Sequence, residues 1–206
     1  MKTFPLIIKL LVLVIVLSAS AGCKSYMKYK YGITQPKEET PEKLIEFLEE
    51  NHFPQENQYM FSDSAAYSHA MREPEFSKHL LSHMIFDRQG ILIRRDTTQC
   101  QWSGYDKLKS LSIDSIYLKG DGLQLNQILS QIRPFGKDEL PSGSYQDPDF
   151  TVIVTWAKFI GKYNYRLFAL ADAPKLNKTA RIRMIWLNVD MQEAWKLTRE
   201  QKVAIK

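Results

Sequence analysis

Two runs of apolar, β-branched residues constrain this chain more than anything else in it. Thr151-Val152-Ile153-Val154-Thr155-Trp156 and Ile182 to Val189 are continuous rather than alternating, the pattern of strands buried on both faces. Between them, about Asn164 to Ala173 reads as helical. Strand, helix and strand at this spacing make a βαβ unit with a parallel pair, so the chain is predicted to be an α/β protein. Asp190, just after the second run, is placed to cap a short helix through Ala194 and Trp195.

Upstream signals are more local. Thr40 before Pro41 starts a helix whose apolar stripe is Leu44, Ile45, Phe47 and Leu48. Tyr59-Met60-Phe61 is a short strand, and Ser62-Asp63-Ser64 caps a helix carrying Ala66, Tyr67, Ala70 and Met71. A second short helical stretch spans Phe76 to Leu81. Met84-Ile85-Phe86 and Ile91-Leu92-Ile93 flank Asp87-Arg88-Gln89-Gly90 as a β-hairpin, with Gly90 free to take a positive φ. Ile113, Ile116 and Leu118 suggest a strand. Leu123, Leu125, Ile128, Leu129 and Ile132 fit one helix ended by Pro134, and Phe135 to Asp149 is a loop.

The N-terminus addresses the chain to a membrane. Lys2 and Lys9 form a positive segment, Leu10 to Leu17 is unbroken apolar sequence, and Ser18-Ala19-Ser20-Ala21-Gly22 leads into Cys23. This is the order of a secretory signal peptide, and the apolar stretch falls far short of the roughly 20 residues of a spanning helix. Ser20-Ala21-Gly22-Cys23 resembles the lipobox of bacterial lipoproteins, with serine where leucine is usual. The resemblance implies cleavage before Cys23 and lipidation of its thiol, so the expected organisation is a signal peptide over 1–22, a lipidated tether over 23–39 and one domain over 40–206. Lys24 is not the aspartate that marks inner-membrane retention in such families, which favours the outer membrane of a bacterial envelope. Tyr26-Met27-Lys28-Tyr29-Lys30-Tyr31 is a candidate for touching anionic head groups beside the anchor, although a solvated tether fits it too.

Removing 1–22 lowers the basic residues from 28 to 26 against 23 acidic ones, a net charge of +3. No Lys/Arg run reaches the length of a phosphate-binding patch, so nucleic acid is not an expected partner. With Cys23 lipidated, Cys100 is the single remaining thiol and no intramolecular disulfide can form.

Phe150 to Met191 resembles the first βαβ unit of the thioredoxin-like proteins. In that family a buried strand ends in Trp-Ala, two residues follow, and a Cys-Gly-Pro-Cys motif opens a helix. Here Trp156-Ala157-Lys158-Phe159 is followed by Ile160-Gly161-Lys162-Tyr163, and only the glycine of the motif survives. Leu187-Asn188-Val189-Asp190 is similar to the family's central strand. The family continues into a proline-led hairpin and a closing helix. In this chain the lookalikes lie upstream, at Met84 to Ile93 and Leu123 to Ile132, with Leu81-Ser82-His83 where the proline would stand. The resemblance implies a thioredoxin-like three-layer sandwich with rearranged element order, in which the hairpin joins the sheet of Val152 and Ile185.

Thiol–disulfide exchange needs a thiolate near a helix N-terminus and usually a second, resolving thiol. Ile160 and Tyr163 supply neither. The reading is therefore a non-catalytic binding or scaffolding module without a cofactor, anchored by membrane lipid at Cys23 and meeting an envelope protein or peptide at Phe159, Ile160 and Tyr163. The rival is an enzyme: a single-thiol redox protein using Cys100, or a metal-dependent one using His79 and His83, which are spaced i, i+4, with His69 as a third ligand. No glutamate of the HExxH kind accompanies that pair. Asp147 and Asp149 make no recognisable catalytic set.

Overall fold

A computed structural model describes residues 28–94, 103–135 and 147–200. Residues 1–27, where the signal peptide and lipidated Cys23 are expected, Cys100 and most of the loop after Phe135 lie outside the described residues.

The strands are β1 (Glu38–Glu39), β2 (Gln58–Phe61), β3 (His83–Asp87), β4 (Ile91–Ile93), β5 (Lys119–Gln124), β6 (Ile132–Pro134), β7 (Phe150–Trp156), β8 (Ile182–Asn188) and β9 (Met191–Gln192). Seven of them form one mixed sheet in the order β5-β4-β3-β7-β8-β2-β6, and β1 pairs with β9 apart from it. Strands β7 and β8 run parallel from Phe150 opposite Ile182 to Trp156 opposite Asn188, and β8 is parallel to β2 in turn. The hairpin β3–β4 joins this sheet: β3 lies antiparallel to β7, with His83 opposite Val154 and Asp87 opposite Phe150. Every residue of β7 is buried, as its unbroken apolar run requires.

Helices cover both faces. On one, Trp156 stacks on Phe47 of α1 (Pro41–Glu50), with ring centroids 6.0 Å apart, and meets Phe168 of the β7–β8 crossover at 5.4 Å. On the other, Phe61 makes edge contacts with Tyr67 of α2 (Ser64–Arg72) and Phe76 of α3 (Pro74–Lys78). Caps sit where the sequence predicts them, with the Lys43 N–H donating to Thr40 Oγ1 and the Ala66 N–H to Asp63 Oδ1 at 2.8 Å. Gly90 takes φ +76 at the hairpin turn.

Four expectations are corrected. The helix expected over Leu123–Ile132 is the end of β5, a short helix α5 (Leu125–Leu129) preceded by a second short helix α4 (Ser103–Lys109) earlier in the chain, and then β6. Its apolar spacing is shared among strand, one short helix and strand, and Gly122 takes φ +94 within β5. Ile113, Ile116 and Leu118 form no strand; they are exposed in the connection before Lys119. Asp190 does not cap the helical turn at Glu193–Trp195, where no side chain caps; its carboxylate turns to the start of the crossover. Finally, order begins before Thr40. Residues 28–39 lie against the domain, with β1 parallel to β9, Glu39 bridged to Lys158 at 3.2 Å and the Thr34 N–H donating to Phe159 O at 2.8 Å.

Candidate functional site

The crossover leaves β7 at Ala157 as two helical turns, Lys158–Tyr163 interrupted at Gly161 and α6 (Asn164–Phe168), before a further turn (Ala169–Asp172) and α7 (Ala173–Leu176) return the chain to β8. Helical geometry thus starts at Lys158, earlier than the sequence suggests. Asp190 anchors this start: Oδ2 accepts the Lys158 N–H at 2.6 Å and Asn188 Nδ2 at 2.8 Å. Asn164 Nδ2 donates to Ala157 O from the other side. Burial pushes the Asp190 carboxyl up to about 6, against the pull of these donors. The Tyr67 hydroxyl is pushed up to about 12, first by burial and then by the neighbouring Asp190 charge.

A second loop, Leu80-Leu81-Ser82, faces the crossover turn. Thr155 at the end of β7 pins it: Thr155 Oγ1 donates to His79 O at 3.0 Å and accepts the Ser82 N–H at 3.1 Å, while the Thr155 N–H donates to Ser82 O. Leu81 is held at φ +55, a conformation unfavourable for a branched apolar residue and sustained by that double latch. Between the two loops opens a cavity of about 780 Å³. Leu80, Leu81, Ile160, Leu167 and Leu170 give it apolar walls, and Lys78, His83 and Arg166 contribute basic groups; among the described residues no Asp or Glu side chain lines it.

The three residues singled out in the sequence come together here unequally. Ile160 is buried but lines the cavity, Tyr163 is half-buried on its wall, and half-buried Phe159 is not among the lining residues. Sequence reasoning missed the opposite wall, Leu80 and Leu81, and also Arg166 and Ile33. The signal for Leu80-Leu81 was present as two leucines directly before a buried strand; nothing local marked the other two.

Residues 28–34 reach the same corner. Tyr31 packs edge-on against Tyr163 at 5.6 Å, and the Arg166 guanidinium lies 5.2 Å from the Tyr31 ring and 5.7 Å from that of Tyr163. Gly161 sits at φ 54, ψ −128, and a Cβ there would stand 2.4 Å from Tyr31 O and 2.7 Å from Gly32 O. Only glycine admits both the backbone conformation and the approach. Gly161→Ala is therefore expected to lift residues 28–34 off the crossover while the sheet stays folded. Amide exchange at Thr34 should accelerate tenfold or more, each tenfold being about 1.4 kcal/mol; unchanged exchange there contradicts the contact.

The other candidates do not converge. His79 lies in the turn after α3 and His83 on β3, so the pair shares no helical face, and His69 pairs with Gln131 at 3.3 Å. Among the described residues no group of three His, Cys, Asp or Glu side chains could hold a metal ion. Asp149 is engaged by Arg181, whose Nε and Nη2 both donate to it at 3.2 Å, and this pairing holds its carboxyl below the usual range. It closes the β7–β8 corner rather than lining the cavity. Comparison with known protein families, curated proteins and solved structures finds no match for this chain.

Proposed function

We propose that this chain is a bacterial envelope lipoprotein, anchored through lipid on Cys23, whose thioredoxin-like domain is non-catalytic and holds a polypeptide partner in the cavity beside Ile160 and Tyr163. The observation that carries the reading is the place of β3–β4: a hairpin that precedes β7 by some sixty residues nevertheless lies beside it, antiparallel, in the same sheet as the parallel β7–β8 pair. That is the arrangement a thioredoxin-like sheet has if its second half comes first in the chain. In such a sheet the turn after β7 carries the dithiol, and here it carries Ile160 and Tyr163. A surface built for substrate approach then serves for holding.

The lining argues for the kind of partner. Apolar walls favour an extended segment with large side chains, and Lys78, His83 and Arg166, with no acid among the described lining residues, favour one that also bears carboxylates. Lys78 is bridged to Glu75, and the Arg166 guanidinium lies over the Tyr31 and Tyr163 rings. The expected result is that a short fluorescein-labelled peptide alternating leucine with glutamate binds the mature protein saturably by anisotropy, while a leucine–lysine peptide does not. Arg166→Glu should weaken the acidic peptide about tenfold or more, the size of one lost charge-assisted contact. Equal binding of both peptides, or indifference to Arg166→Glu, would remove the reading.

A further inference from the structure

Resting on the anchor reading above, we propose that the docked tether holds the domain face-down on the bilayer, with Lys28, Tyr29, Lys30 and Lys162 forming a contact face for anionic phospholipid head groups. Three observations meet here. The chain from Cys23 to Lys28 spans five residues, so Lys28 stands within about 17 Å of the anchor even when the link is fully extended. The segment that follows is seated on the domain, by the Gly32 backbone against Gly161, the Tyr31 ring against Tyr163 and the Thr34 N–H on Phe159 O. Lys162 lies between the two crossover residues that Tyr31 and Gly32 touch, and it is exposed, as are Lys28, Tyr29 and Lys30.

A freely jointed tether would let the domain tumble above the membrane. A seated one fixes which surface lies nearest the lipid, and that surface carries basic groups around an aromatic ring that is 91% exposed. Basic side chains beside an anionic surface each favour contact about fivefold, and tyrosine is suited to the head-group layer. The turn Arg88–Gly90 lies at the far end of the sheet, since Asp87 is opposite Phe150 while the tether docks beyond Trp156. Seven residues of strand put about 20 Å between the two ends.

The test reconstitutes the full mature lipoprotein into phosphatidylcholine vesicles with and without phosphatidylglycerol. An environment-sensitive dye is placed by Lys162→Cys or, as a distal control, Arg88→Cys, each in a Cys100→Ser background, and quenching by brominated lipid is read. The expected result is that the dye at 162 is quenched several-fold more than the dye at 88, that phosphatidylglycerol enhances this, and that Lys28→Glu with Lys30→Glu abolishes the enhancement. Acylated protein with equal quenching at the two positions, or with no response to phosphatidylglycerol, overturns the proposal and leaves the anchor intact. Mass spectrometry showing no acyl group on Cys23 sinks the anchor reading and this proposal with it.

Discussion

Trp156→Ala should leave the domain largely unfolded at neutral pH. The side chain is fully buried, stacks on Phe47, and meets Phe168 and Phe135 as well. Its Nε1 donates to Gln58 Oε1 at 3.1 Å, joining the end of β7 to the start of β2 across the intervening β8. Truncating a buried tryptophan costs about 3–5 kcal/mol. Here it also leaves the buried Gln58 oxygen without that donor, a further cost of about 1–3 kcal/mol. Against a total stability of about 5–15 kcal/mol, little is left. Urea unfolding followed by circular dichroism in detergent is the measurement, and a loss below about 1 kcal/mol would mean that Trp156 is not at the centre of the core.

The second large effect is one of pH. The Asp190 carboxyl titrates near 6 in the folded protein, against 3.8 for the free side chain, because burial disfavours its charge. Below 3.8 both folded and unfolded chains hold the proton. Between 3.8 and 6 the unfolded chain releases it while the folded chain keeps it, so this residue's stabilising contribution falls as pH rises and is lost above 6. At about 1.4 kcal/mol per pH unit the loss amounts to about 3 kcal/mol. Carboxylates held low by partners, such as Asp149 and Glu75, act in the opposite direction, so the informative quantity is wild type minus Asp190→Asn. That difference in unfolding free energy should shift by about 3 kcal/mol against wild type between pH 3.5 and 7, and a flat difference would contradict the buried, proton-holding carboxyl.

What the sequence reveals about this fold follows from the range of the forces involved. Strands β7 and β8 are legible because burial on both faces forces every side chain to be apolar or paired. The caps at Thr40 and Asp63 and the turn at Gly90 are legible because each is satisfied within four residues. Asp190 was misread for the complementary reason: its backbone partner, Lys158, lies 32 residues away, and an aspartate before a helical turn looks the same whichever way its carboxylate points. The run from Leu123 to Ile132 has helical spacing, yet only Leu125–Leu129 is helical, with Gln124 opposite Ile91 of β4 and Ile132 opposite Phe61 of β2. The docking of the tether left almost no trace, since much of it is backbone: β1 on β9, and Thr34 on Phe159. Gly161 was noticed as the surviving motif glycine, whereas its positive φ and its contact with Tyr31 and Gly32 give it a different physical task.

The candidate site divides in the same way. Ile160 and Tyr163 could be named because a family pattern put them after a buried Trp-Ala. Leu81 and Arg166 could not, because one depends on a latch from Thr155, 74 residues downstream, and the other on a ring, Tyr31, far upstream.

Lipid on Cys23 is the proposal most directly open to measurement. Cells grown with radiolabelled palmitate should yield a labelled protein that fractionates with the membrane, and Cys23→Ser should lose both the label and the membrane association while keeping its fold. A wild-type protein without label, or a Cys23→Ser protein that retains it, would contradict the account.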